Sequence, residues 1–311
     1  MSASTRPAHS GPGGWRRLGL LPLDTSRAAW AITHAALPVV EPLDATRLAL
    51  YLSLRDRDGR ARVGRCILVM SEAPTLEPLD AAPVLDLGPL GAFDDSGVTT
   101  SSLVTVGADR FLYYTGWSRG VTVPFYLAAG VAMSENGGPF ERWSPAPLLE
   151  RNAVDPFLTA SPFVLIGHGR WRMWYVSATE WRNTDSGPRH YYHIKYAESA
   201  DGVSWVRDGH VALDYATRDE HAFARPWVVH DADRYRMWFA VRGERYRIEM
   251  AESDDGLAWS RSNRLGLTAG VEPWESDMVE YPCVFDWNGR RYLLYNGNEY
   301  GGSGVGIAVL G

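Results

Sequence analysis

Acidic residues recur at one place in this 311-residue sequence, and their spacing could carry proton chemistry. Seven residues before Ser101, Pro162, Pro226 and Pro282 stand Asp94, Asp155, Asp219 and Glu275; Asp95 and Glu220 follow one residue later. Asp277 and Glu280 lie five and two residues before Pro282. If these positions open onto one water-filled funnel, crowding drives the carboxyl pKa values apart, leaving one acid protonated and another ionised near neutrality. Such a pair suits general acid/base or nucleophilic catalysis. The same oxygens suit a hard divalent cation such as calcium, although no motif demands a metal or cofactor. The alternative is that each acid caps a turn and accepts hydrogen bonds from its amides.

Other side chains would share that funnel. His34 stands four residues before Pro38, and His221 five before Pro226. Arg225, immediately before Pro226, would bind a ligand carboxylate or phosphate, or else neutralise Glu220. Loops returning to the same rim carry Trp117, Trp181, Arg242, Asn296 and Tyr300. Aromatic faces stack on sugar rings, while Asn and Arg supply directional donors. With Asp94 and Asp277 these form the candidate substrate-binding set. The longest such loop, 179–190, is a candidate lid.

The elements that must position these residues repeat. Pro38, Ser101, Pro162, Pro226 and Pro282 are each followed, thirteen residues on, by an aromatic: Tyr51, Tyr114, Tyr175, Phe239 and Tyr295. Each copy reads as a short apolar run, a polar turn and an alternating run, a hairpin pattern. Segments such as 194–205 and 248–259 add an outer hairpin with Asp-Gly at the turn and a Trp after it. Their acids are expected to serve the turn, not catalysis. Five copies predict an all-β, five-bladed β-propeller with four-stranded blades. The fifth copy ends at Gly311 after its third strand, so residues 15–25 are expected to supply the missing strand and close the ring. This makes 15–311 one propeller domain, with 1–14 a polar, disordered leader.

Composition excludes several classes. The net charge is −6 with no Lys/Arg cluster, which argues against nucleic acid or an anionic membrane as partner. No apolar run is long enough to span a membrane. The leader has no apolar region of the signal-peptide type, and Cys66 and Cys283 fit no metal spacing, so a cytoplasmic protein with reduced thiols is expected. No nucleophile elbow, phosphate loop or dinucleotide fingerprint is present. A small molecule or glycan is the expected partner; oligomeric state is not legible.

The Arg-Met-Trp-Tyr/Phe runs at 172–175 and 236–239, the Ala-Glu-Ser-x-Asp-Gly-x-x-Trp segments and Glu280-Tyr281-Pro282 resemble the five-bladed propeller superfamily of glycoside hydrolases. It includes arabinanase/xylosidase-like, levansucrase/invertase-like and mannoside-phosphorylase-like families. The resemblance covers about residues 15–311 and implies carboxylate catalysis at the inner-strand starts, where Asp95, Asp155, Glu220 and Glu280 are the positional matches. The first blade departs from it, with Ala31, Ile32 and His34 where a base or nucleophile is usual. The expectation is therefore a carbohydrate-active enzyme. A repurposed propeller running a non-hydrolytic step, or a glycan-binding propeller, is the alternative.

Overall fold

The computed structural model describes residues 14–311 apart from His168, so the expected leader, but for Gly14, lies outside the described residues. The fold is all-β in its regular structure, and its strands form antiparallel meanders. Strand β1 (Trp15–Leu21) precedes the first meander, which is β2 (Thr33–Pro42), β3 (Arg47–Arg55), β4 (Ala61–Val69) and β5 (Thr75–Leu76). The second is β6 (Gly97–Val106), β7 (Asp109–Arg119), β8 (Phe125–Ser134) and β9 (Glu141–Arg142). The third is β10 (Thr159–Gly167), β11 (Arg170–Thr184) and β12 (Gly187–Ser199), edged by β13 (Trp205–Val206) and β14 (Val211–Leu213). The fourth is β15 (Ala222–His230), β16 (Tyr235–Arg242), β17 (Tyr246–Ser253) and β18 (Ser260–Leu267). The last has β19 (Glu280–Trp287), β20 (Arg290–Asn296) and β21 (Val305–Leu310), and β1 pairs with β21 as its outer strand.

The inner strands pack side by side in order, β2 by β6, β10, β15 and β19, and β19 lies again beside β2. Asn296 fastens that last contact, accepting from Leu37 N at 2.9 Å and donating to Ala35 O at 2.7 Å. Trp15 on β1 is buried and donates to Leu265 O, so the terminal strand is tied to the fourth meander as well as to its own. Buried Trp174 and Trp238, with Trp227, fill the wedges between meanders, and each indole N–H reaches a backbone carbonyl. Burying such large rings adds apolar driving force at these contacts.

The outer hairpins behave as their residues imply. Asp201 Oδ1 accepts from Val203 N and Ser204 N, Gly202 takes φ +81°, and Trp205 Nε1 closes onto Gly202 O. Asp255, Gly256 and Trp259 repeat the pattern. Cys66 and Cys283 are buried and unbonded.

One register reading is corrected. Val39 pairs with Tyr51 and Ala36 with Ser53, so Leu52, not Tyr51, lies opposite Leu37-Pro38. In the third meander Tyr175 lies opposite Ser161-Pro162. The first copy thus runs one residue longer, and Tyr51 takes the place that Trp174 holds.

Candidate functional site

A shared local device shapes every inner strand. Two residues of β2, β10, β15 and β19 oppose one on the neighbouring strand, a β-bulge, and β6 has a register shift at Ser101. The residue before each proline, Leu37, Ser161, Arg225 and Tyr281, has φ between +48° and +56°. Proline disfavours the right-handed helical region for its predecessor, and the bulge holds these side chains in the sparsely populated left-handed one. Three of them, Leu37, Ser161 and Tyr281, line a cavity of about 500 Å³ at the end where the inner strands begin.

The cavity draws residues from all the meanders. Ala36, Thr99, Ala160 and Ala224, each two residues before a repeat position, form its floor. Trp117, Phe125, His190, Tyr192, Tyr246 and Tyr300 wall it, while Arg55 and Arg242 supply charge. A Cβ at Gly97 would stand 1.9 Å from Trp117 Nε1, so only glycine lets that indole lie where it does. His190 stacks on Tyr192 at 4.5 Å, Trp181 meets His190 edge-on at 5.5 Å, and Phe125 packs on Trp181 at 5.4 Å. The β11–β12 hairpin therefore closes one side of the mouth as an aromatic wall. Burial pushes the His190 imidazole down to about 4, with His221 and Arg242 adding to it; burial and Arg55 do the same to His34. Both rings are neutral at pH 7.

The predicted acids are not gathered here. Asp94, Asp155, Glu220 and Glu275 are each buried inside their own meander, and none lines the cavity. Each meets an arginine from the outer part of its meander: Arg142 at 2.7 Å, Arg207 at 2.7 Å, Arg261 at 2.7 Å and Arg17 at 3.0 Å. Tyr114, Tyr175 and Tyr295, twenty residues after their acids, donate hydroxyls to Asp94, Asp155 and Glu275. Phe239 has no hydroxyl, and Arg247 joins Arg261 on Glu220 instead. Burial opposes ionisation of Asp155, but Ser177, Lys195 and Arg207 outweigh it and hold the carboxyl below its usual range. Arg261 does the same for Glu220 against its burial. These are latches from inner loop to outer strand. The first meander lacks both halves, with buried Ala31 and Leu52 in their places. Its missing acid thus has a packing cause.

Other sequence candidates are also displaced from the expected funnel. Asp95 accepts from Gly91 N and Ser96 Oγ in a surface turn. Asp277 pairs with exposed Arg245. His221 is buried against Tyr191, outside the lining. Arg225 meets no acid among the described residues: fully buried, it donates to Thr100 O and Pro38 O, both at 2.6 Å, and so crosses from the fourth meander to the second and first. Burial lowers even this guanidinium to about 10.

Of the sequence candidates, His34, Trp117, Arg242 and Tyr300 line the cavity, and Trp181 backs it. Asn296 instead ties the first and last meanders together. Glu280 holds the strand position of Ala36, Thr99, Ala160 and Ala224 but is 0% exposed, and among the described residues neither carboxyl oxygen has a hydrogen-bond partner. Burial holds it well above the usual carboxylate range, opposed by the charge of Arg242. Sequence reading misses Arg55, Phe125, Tyr192, Tyr246 and Tyr281 as lining residues. For Tyr281 the available signal is its place before a repeat proline. No group of three or more His, Cys, Asp or Glu side chains able to hold a metal occurs among the described residues. The lining offers calcium no carboxylate.

Comparison with known proteins bears on this geometry. No protein-family model matches the chain. It is 43% identical over 298 residues to "Uncharacterized protein Rv1502" of Mycobacterium tuberculosis, covering 95% of this chain and 99% of that one. Among solved structures, a glycosyl hydrolase from Bacteroides ovatus superposes with a TM-score of 0.72 at 14% identity, over 96% of this chain and 94% of the other. A thermostable family-43 glycoside hydrolase gives 0.62 at 16%, over 90% and 89%. Zg3597, a family 117 glycoside hydrolase of Zobellia galactanivorans, gives 0.66 at 11%, over 96% and 90%. At these identities the likeness is one of fold: the neighbours are five-bladed propeller glycoside hydrolases. Among the described residues no helix is long and apolar enough to cross a membrane.

Proposed function

This chain belongs to the family of the mycobacterial protein Rv1502, and we propose that it holds a saccharide-sized small molecule at the mouth of a five-bladed propeller closed by β1. The carrying observation is the cavity of about 500 Å³ walled by Trp117, Tyr192, Tyr246 and Tyr300, with hydroxyls from Ser53, Thr99, Thr115 and Ser161. Apolar faces with a few placed donors are what sugar rings and similar ligands require. Glycoside hydrolysis by the common route needs two carboxyl groups flanking the bond. Here the lining contains none, and the latch acids are held by arginines. The reading is thus a sugar site on a hydrolase scaffold without paired-carboxylate hydrolysis.

Saturation-transfer NMR with a panel of mono- and disaccharides tests this reading. Trp117→Ala and Tyr192→Ala are expected to weaken binding at least tenfold. Undiminished binding in both would remove the cavity from the account.

A further inference from the structure

We infer that the ligand is an anion, its carboxylate or phosphate oxygens held by Arg55 and Arg242. The inference deepens the saccharide reading above and rests on it.

Arginines elsewhere in this chain show what these two lack. Arg17, Arg142, Arg207, Arg261 and Arg291 each meet a carboxylate within 3.0 Å. Among the described residues Arg242 and Arg55 form no ion pair, although both are partly buried in the cavity wall. Arg242 is fixed: its guanidinium lies 5.4 Å from the Tyr246 ring centre and 5.8 Å from that of Tyr300, and Nη1 donates to Tyr300 Oη at 2.7 Å. No other hydrogen bond of its side chain is present among the described residues, and the Arg55 side chain makes none there at all.

Nothing lining the cavity offsets these charges. His34 and His190 are neutral, and the lining has no acid. Glu280 is fully buried and outside the lining, and burial raises its carboxyl well above the usual range against the charge of Arg242. Two guanidiniums partly withdrawn from water, with donors unused, favour a ligand that brings the missing oxygens. The planar fork of arginine matches carboxylate and phosphate alike. Uronic acids and sugar phosphates therefore share the required chemistry.

Calorimetry on the full chain separates the possibilities. The probes are glucose and galactose, their uronic acids, their 1- and 6-phosphates, and inorganic phosphate with acetate. One charged sugar class is expected to bind at least tenfold more tightly than its neutral parent, and to weaken as salt rises. Arg242→Gln and Arg55→Gln are each expected to lose about tenfold or more of that affinity, and far less of the neutral sugar's. Arg242→Lys should recover part of it, and it carries the comparison if the Gln variant does not fold. Which class binds decides between carboxylate and phosphate. Equal binding of charged and neutral sugars, unaffected by either Gln variant, would overturn the anion and leave the saccharide site. Acetate or phosphate binding as tightly as the charged sugars would keep the anion and overturn the saccharide. No binding by any probe would overturn both.

Discussion

Asp155 and Glu280 carry the same functional group into opposite surroundings. Asp155 has Lys195 at 3.2 Å and Arg207 at 2.7 Å with hydroxyls from Tyr175 and Ser177; Glu280 has burial and, among the described residues, no hydrogen-bond partner. Removing one member of a buried ion pair leaves the others uncompensated, so Asp155→Asn is expected to cost about 3–5 kcal/mol. Asp95→Asn, in its surface turn, should stay within about 0.5 kcal/mol. Urea denaturation measures both, and equal effects would contradict the latch. The pH signs also differ. Asp155 is depressed in the fold, so its contribution is present above the unfolded pKa and is lost as pH falls through the folded one. Glu280 is raised, so the fold binds more protons than the unfolded chain above about pH 4.5, and its effect is to lower stability as pH rises from there. Glu280→Gln should remove that slope above the unfolded value, as urea titrations across pH would show.

At the scale of elements, β1 is the strand whose loss the fold should tolerate least. It covers the edge of β21, buries Trp15 and delivers Arg17 to Glu275 across the sheet. Without it the last meander exposes an unpaired edge, a template for aggregation. A chain beginning after residue 21 is expected to lose cooperative thermal unfolding and to self-associate, as calorimetry and light scattering would show. A monomer with an unchanged transition would refute the clasp. This closure is legible because Trp15-Arg16-Arg17-Leu18-Gly19 echoes Trp205-Val206-Arg207-Asp208-Gly209. The echo includes Arg17 and Arg207, which turn out to be equivalent latch arginines. What it does not convey is their role, because a latch acid and a rim acid occupy the same sequence position.

Across the whole molecule, repeats of hydrophobic pattern set the number and order of meanders, because each must bury its faces against its neighbours. They do not set which way a polar side chain turns. The one-residue slip that puts Leu52 where Tyr51 is expected, and the bulges that aim Leu37, Ser161 and Tyr281 into the cavity while sending Arg225 across the axis, depend on local backbone. Spacing alone does not encode that. It is why the acids counted from the prolines look like one converging group, and why Tyr192, Tyr246 and Arg55 stay invisible until the strands are placed. On the proposed reading, the fold shared with glycoside hydrolases holds a sugar here while Asp155 and Glu220 serve as latches. Product analysis by mass spectrometry tests it most directly, with a mixed glycoside panel incubated with the wild-type chain and with Asp155→Asn and Glu220→Gln. The expected result is ligand retention by the wild type and no hydrolysis product from any of the three. A hydrolysis product from the wild type would contradict it, and loss of that product in a variant that keeps the wild-type thermal transition would return its acid to catalysis.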